Sequence, residues 1–188
     1  MCPGIDFFSD QCINSKPGLK KSINLPNNPC LLAMTPAIDL LRKEKIAHAV
    51  HEYTHESGAE SYGLEAAEKL DIDPDWVFKT LVVQLEPKLL AVALLPVSNQ
   101  LALKAMARVC KAKRAELADP LVVERTTGYV LGGVSPLGQK KPLMTVVDQS
   151  AEVQSSIYVS AGKRGLEIEL APSDLVRVLH ASYAHLAS

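Results

Sequence analysis

Two groups of residues in this chain have types and spacing suited to chemistry. One is the run Gly132-Gly133-Val134-Ser135-Pro136-Leu137-Gly138-Gln139-Lys140-Lys141; the other is a lone lysine, Lys79, at the head of an apolar stretch. Two adjacent glycines, a Ser-Pro pair and a third glycine make a loop whose amides approach a ligand closely, because no Cβ screens them. The two lysines that follow favour an anionic guest. In an extended run Lys79, Leu81, Val83 and Leu85 share one face, and Phe78, Thr80, Val82 and Gln84 share the other. One ammonium therefore heads an apolar row. Read plainly, Lys79 snorkels to water from the first turn of its strand. Read as function, it stands at the edge of an apolar pocket. There a low dielectric strengthens its hold on a phosphate or ribose oxygen, or on charge developing on a carbonyl. Loop and lysine together point to an acyl-ester site.

His51-Glu52-Tyr53-Thr54-His55 makes a competing claim, since it satisfies the H-E-x-x-H pattern of zinc metalloproteases with Gly58 at the metzincin position. That chemistry needs a helix, which puts both histidines within reach of one metal and leaves the glutamate as general base. This stretch reads as a strand, on which residues four apart are roughly 13 Å from each other. The third metzincin ligand would be residue 61, which is Ser. The histidines therefore read as surface or pocket-edge groups, and no metal site is expected. No Ser-His-Asp or Cys-His arrangement stands out by spacing, and Cys110 reads as a small core residue. Lys104, Arg108, Lys111, Lys113 and Arg114 fall within eleven residues that contain no acid. They form either a solvated face or a contact with phosphates that reads no sequence.

The elements that must position these groups follow from periodicity and punctuation. Thr35-Pro36 starts a helix as cap and first helical residue. His48 to Tyr53 is a strand; Ser61 to Leu70 is a helix, closed by the turn Asp73-Pro74-Asp75. Phe78 to Leu85 and Leu89 to Leu95 are strands joined through Glu86-Pro87-Lys88. Leu101 to Cys110 reads as a helix, and a second short one runs from Asp119-Pro120 to Gly128. Leu143 to Val147 is a strand. Ile157 to Ser160 and Leu166 to Leu170 flank the turn at 161–165, and Ser173 to His180 is a final amphipathic helix. Hairpin strands interleaved with helices predict one α/β domain, a mixed sheet flanked by helices.

With 188 residues, 47% hydrophobic and 22% charged, the chain has the size and composition of one globular domain with a sizeable core. A formal net charge of −1 argues against nucleic-acid binding by bulk electrostatics, so any RNA contact is local or assisted by a partner. Cysteines 2, 12, 30 and 110 show no CxxC spacing, which favours a reducing, cytoplasmic home. Pro3, Gly4, Asp6 and Asp10 interrupt what a signal peptide needs, and no stretch approaches a membrane span. Residues 1–33 lack a sustained apolar period and read as an irregular, flexible extension; residues 34–188 form the folded domain.

Three motifs carry a family resemblance. They are Phe78-Lys79-Thr80-Leu81, the run from Thr127-Gly128-Tyr129 through Gly132-Gly133-Val134-Ser135-Pro136 to Lys140-Lys141, and Tyr158-Val159-Ser160-Ala161-Gly162-Lys163-Arg164-Gly165-Leu166-Glu167-Ile168-Glu169-Leu170. In this order and spacing the chain, from about Met34 to its last helix, resembles the YbaK/EbsC family of Cys-tRNA(Pro) deacylases. The resemblance implies a metal-free, cofactor-free enzyme that removes cysteine wrongly attached to proline tRNA. Its fold would be that of the editing domain inserted in some prolyl-tRNA synthetases, and association with prolyl-tRNA synthetase would supply tRNA selectivity. A second hydrolytic site answers a physical need, because a pocket working by shape discriminates poorly between near-isosteres such as cysteine and proline.

By resemblance, Lys79 is the principal functional residue, binding the terminal adenosine or its ester, with Thr80 beside it. Gly132, Gly133, Ser135 and Pro136 hold the aminoacyl end. Tyr53 and Tyr62, the second commonly Phe in the family, wall the pocket or stack on the base. Ser160 and Gly162 match its rim. Glu167 stands where relatives often carry Asp, and Ala161 where they often carry Gly. Lys140 and Lys163 join the basic residues at 104–114 as candidate tRNA contacts. Family members are thought to use the substrate itself: its thiol attacks its own ester carbonyl, or the ribose hydroxyl helps, while the protein positions the groups and stabilises the oxyanion. Two other readings stand beside this one, a module that binds aminoacyl-tRNA or the synthetase without turnover, and more remotely the zinc protease.

Overall fold

The computed structural model describes residues 34–56 and 61–188. The extension expected over 1–33 and the Gly58 reading lie outside them. Thr35 caps α1 (Pro36–Lys43) by accepting from the Ile38 amide at 3.3 Å, and the helix buries Ala37, Ile38 and Leu41. β1 (His48–Glu52) is a strand, as the alternation required. α2 (Tyr62–Leu70) is capped by Ser61 and followed by β2 (Val77–Leu85) and β3 (Leu89–Pro96). α3 (Leu103–Val109) leads to β4 (Ala115–Leu117). α4 (Pro120–Thr127) has the expected Asp119 cap and ends on Gly128 at φ +83°. β5 (Met144–Asp148), a 3-10 turn over Gln149–Val153, β6 (Ile157–Lys163), β7 (Leu166–Leu170), α5 (Pro172–Leu179) and β8 (Ser182–Ala184) complete the chain.

The strands make one eight-stranded sheet in the order β1-β7-β6-β2-β3-β5-β8, with β4 paired to β2 off this path. β2/β6, β3/β5 and β5/β8 are parallel and the remaining pairs antiparallel, so the predicted mixed, hairpin-rich sheet is present. Both faces are covered, which is why β3 reads as an unbroken apolar run. Phe78, Val82, Val92, Leu94 and Val147 pack on one side with Ile38 and Leu41 of α1, Val123 of α4 and Leu175 of α5. On the other side Val83, Leu85, Ala91, Ala93 and Val146 pack with Met106 and Ala107 of α3, while Val77 and Val97 pack with Ala66 and Ala67 of α2. Each fully buried leucine among them contributes about 1.5–3 kcal/mol.

The feature that makes the site is an opening in this sheet. β2 pairs with β6 only at Val77 and Phe78, and with β4 only from Val83 to Leu85. The residues between them, Lys79 to Val82, have a ladder partner only in β3. On the face that carries Lys79, α2 packs over Val77 and α3 over Val83, so Lys79 and Leu81 fall between the two helices. The β6/β7 register breaks between Ser160 and Lys163, just past Val159, the last residue of β6 that pairs with β2.

Candidate active site

A cavity of about 320 Å³ occupies the opening. β2 contributes Val77 to Leu81, the start of α2 contributes Ser61, Tyr62 and Gly63, and the glycine loop contributes Leu131, Gly132 and Val134. Ser160 of β6 and Glu167 of β7, partners in the ladder, close the far side.

Lys79 does not run out to solvent. Its Nζ donates to the carbonyls of Val97 (3.3 Å) and Asn99 (2.5 Å). No carboxylate pairs with it among the described residues. Burial lowers its pKa from the ordinary lysine value. Beside it, the Thr80 hydroxyl is buried and has no hydrogen-bond partner among the described residues. A buried hydroxyl left without a partner costs about 1–3 kcal/mol. Glu167 is the only acid among the described residues that line the cavity. It is 7% exposed, and burial pushes its pKa up to about 8.

Tyr62 is the hinge between loop and hairpin. Its ring lies 5.4 Å from that of His55 and 4.8 Å under the Arg164 guanidinium, a cation–π distance. Gly132 adopts φ +81°, and a Cβ there would stand 2.6 Å from the Tyr62 ring, so only glycine lets the two surfaces close. Arg164 also donates from Nε (3.0 Å) and Nη2 (2.7 Å) to the Leu131 carbonyl, tying the hairpin to the loop. Sequence reasoning missed this role. The only available signal was a basic residue beside Gly165 at a hairpin tip.

Several expected site residues lie elsewhere. Gly133, Ser135 and Pro136 are buried but do not line the cavity. Ser135 is wholly inaccessible; its hydroxyl accepts from the Leu137 amide at 3.2 Å and its carbonyl accepts from the Gln139 side chain at 2.9 Å, so it shapes the loop from beneath. Tyr129, whose hydroxyl donates to the Leu137 carbonyl at 2.8 Å, pins the same loop. Gly162 packs on Tyr129 rather than on the cavity. Tyr53 and Lys163 line a separate polar cavity of about 340 Å³. Burial, with the charges of Glu167 and Glu65, pushes the Tyr53 phenol up to about 12. Lys140 lies along Gly128, away from both cavities. Lys104, Arg108, Lys113 and Arg114 do come together, in a third cavity of about 620 Å³ that Lys111 does not line.

The two histidines of the H-E-x-x-H pattern engage different carboxylates. His51 Nε2 meets Glu169 at 2.9 Å and His55 Nδ1 meets Glu65 at 2.7 Å. Glu65 also accepts from the Glu56 amide at 2.7 Å. Burial would raise the Glu65 pKa, but the Glu56 amide and His55 outweigh it and hold that carboxyl below its ordinary value. Among the described residues no three potential ligands converge. Neither histidine lines the 320 Å³ cavity, and neither does Cys110. The cavity thus offers a cation, a glycine loop and a proton-holding carboxyl, with no nucleophile–base pair among the described residues. Such a set positions and polarises a substrate but does not attack it.

The model of the aminoacyl-tRNA editing domain family matches residues 56–178. A protein of Enterococcus faecalis, EbsC, named as a candidate Cys-tRNA(Pro)/Cys-tRNA(Cys) deacylase, is 34% identical over 157 residues, covering 82% of this chain and 93% of that protein. Two solved structures share the fold. One, described as a candidate trans-editing enzyme for prolyl-tRNA synthetase, superposes with TM-score 0.70 at 22% identity over 83% of this chain and 99% of that one. Another, described only as a hypothetical protein, gives 0.74 at 21% identity over 82% and 100%. Among the described residues no helix is long and apolar enough to cross a membrane.

Proposed function

This chain belongs to the aminoacyl-tRNA editing domain family, and from that premise we propose that it is a cytoplasmic trans-editing deacylase that hydrolyses mischarged Cys-tRNA(Pro) alongside prolyl-tRNA synthetase. The observation that carries the reading is that one cavity gathers Lys79, Thr80, Gly132 and Glu167 from three separate stretches of the chain, with no histidine or cysteine among them.

In this reading the ester enters with its adenosine toward Lys79. The ammonium, held by the Val97 and Asn99 carbonyls, turns to a ribose or ester oxygen. The α-ammonium of the amino acid meets Glu167, the only carboxyl in the wall among the described residues, which gives up its proton as the pair forms. Gly132 lets the backbone approach the carbonyl where oxyanion charge develops. The substrate thiol then attacks its own ester carbonyl. A carbon–sulfur bond forms as the bond to the ribose oxygen breaks, that oxygen takes the thiol proton, and water opens the strained thioester to free cysteine. Thiol and ester already belong to one molecule, so the protein's part is to hold the attacking conformer and to stabilise the oxyanion.

Hydrolysis of Cys-tRNA(Pro), Ala-tRNA(Pro) and S-methyl-Cys-tRNA(Pro) tests the proposal. The account expects rapid release from the first and slow release from the other two. Equal rates on all three would remove the thiol from the mechanism. No release from any, with prolyl-tRNA synthetase present, would make the chain a binding module.

A further inference from the structure

We propose that the groove between α3 and β4 binds the phosphates of the unpaired 3′ end of tRNA as that strand leaves the ester cavity; the proposal rests on the deacylase reading above. α3 presents Lys104 and Arg108 one turn apart. The chain reverses at Lys111, which has φ +53°, and returns with Lys113 and Arg114 into β4. These four cations line one cavity of about 620 Å³ in which Glu116 is the sole acid among the described residues. Four positive groups and one negative leave a local charge of +3, on a chain whose formal net charge is −1.

The charges are not spent inside the protein. Arg114 pairs with Glu116 at 3.4 Å, while Lys104, Arg108 and Lys113 have no ion-pair partner among the described residues. Clustered, unpaired cations repel one another, an arrangement that an anionic guest relieves. Small side chains, Ala107, Ala112 and Ala115, share the lining, so a sugar-phosphate strand can approach the cations without displacing bulk.

Position points to the same guest. α3 packs on the sheet face that carries Lys79, and β4 is laddered to β2 at Val83, four residues beyond Lys79. At about 3.3 Å per residue the groove begins about 13 Å along β2 from the ester cavity. A stacked strand rises about 3.4 Å per nucleotide along its axis, so the unpaired tRNA end is long enough to reach the groove. The contact would read charge and not sequence, which suits an enzyme that takes its tRNA choice from a partner.

The test is the triple variant Lys104→Ala/Arg108→Ala/Lys113→Ala, all three residues exposed, beside the charge-preserving Lys104→Arg/Arg108→Lys/Lys113→Arg. Binding of deacylated tRNA(Pro) is followed by fluorescence anisotropy across salt concentrations. Kinetics are measured on Cys-tRNA(Pro) and on cysteinyl-adenosine, which ends inside the ester cavity and cannot reach the groove. For single strands each lost phosphate contact lowers the log–log salt slope by about 0.7, so the alanine variant is expected to lose about 2 from that slope. Its KM for Cys-tRNA(Pro) should rise at least about tenfold at unchanged kcat, with cysteinyl-adenosine hydrolysed as by the wild type. The charge-preserving variant should behave as wild type. An unchanged slope and KM would overturn the proposal. So would intact tRNA binding with lost association to prolyl-tRNA synthetase, which would give the groove to a protein partner. If the wild type hydrolyses neither ester, the deacylase reading falls, and the anisotropy arm still decides the groove on its own.

Discussion

Glu167→Gln separates a buried proton from a buried charge. The wild-type carboxyl rises from its ordinary 4.5 to about 8 because burial penalises the charged form. Between those values the folded protein holds a proton that the unfolded chain has released, so stability must fall as pH rises through this window. At 1.36 kcal/mol per unit the full shift is about 5 kcal/mol. A carboxylate that faces an open cavity keeps part of its hydration, so about 2–3 kcal/mol is expected in practice. Glutamine mimics the protonated acid in shape and has nothing to titrate. At pH 5, near the bottom of the window, the two proteins should melt close together. By pH 8.5 the variant should be the more stable by about 4–12 °C, at about 2–4 °C per kcal/mol for a domain of this size. The Tyr53 phenol, pushed up to about 12, stays neutral across the window and adds nothing. Calorimetry at pH 5, 6.5 and 8.5 reads the difference directly, since all other titrations are common to both proteins. In the same variant the KM for the ester should rise, because an amide cannot pair with the α-ammonium. A stability gap independent of pH, or a wild type that is the more stable at pH 8.5, would refute the reasoning.

Three other perturbations probe the frame. Arg164→Ala removes both hydrogen bonds to the Leu131 carbonyl and the cation over Tyr62, so kcat on Cys-tRNA(Pro) should fall about 10- to 100-fold, with Arg164→Lys recovering only part because it lacks the fork; since the side chain is exposed, Tm should move by no more than about 2–4 °C, and a larger drop at normal kcat would make the residue structural. Gly138→Ala places a Cβ 2.4 Å from the Pro36 carbonyl at φ +64° and should destabilise by about 3 kcal/mol or more in chemical denaturation; a neutral result would mean that loop and α1 separate freely. His51→Ala/His55→Ala should keep kcat within about threefold of wild type, and a wild type whose activity chelator removes and zinc restores would revive the zinc-site reading.

Most of the frame was legible in the sequence because its signals are local. Thr35-Pro36 and Asp119-Pro120 mark their helices by capping chemistry, and the β2–β3 hairpin announces itself by apolar length. β4 and β8, three residues each, are too short to show alternation and exist only because β2 and β5 offer them an edge. The site divides along the same line. Lys79, Thr80, Tyr62 and Glu167 were named from motifs and meet in one cavity. Ser135 was misplaced because a Ser-Pro in a glycine loop looks exposed, whereas here its hydroxyl serves the loop's own backbone. Arg164 escaped because its partners, Leu131 and Tyr62, are distant in sequence and brought together only by the fold.

The most direct measurement of the central claim is the initial rate of cysteine release from Cys-tRNA(Pro) by the wild type and by Lys79→Ala, both with chelator present. The account predicts fast, chelator-insensitive release by the wild type and a loss of about 100-fold or more in the variant, in keeping with removal of one oxyanion-stabilising group. Full activity in Lys79→Ala, or activity abolished by the chelator alone, would contradict it.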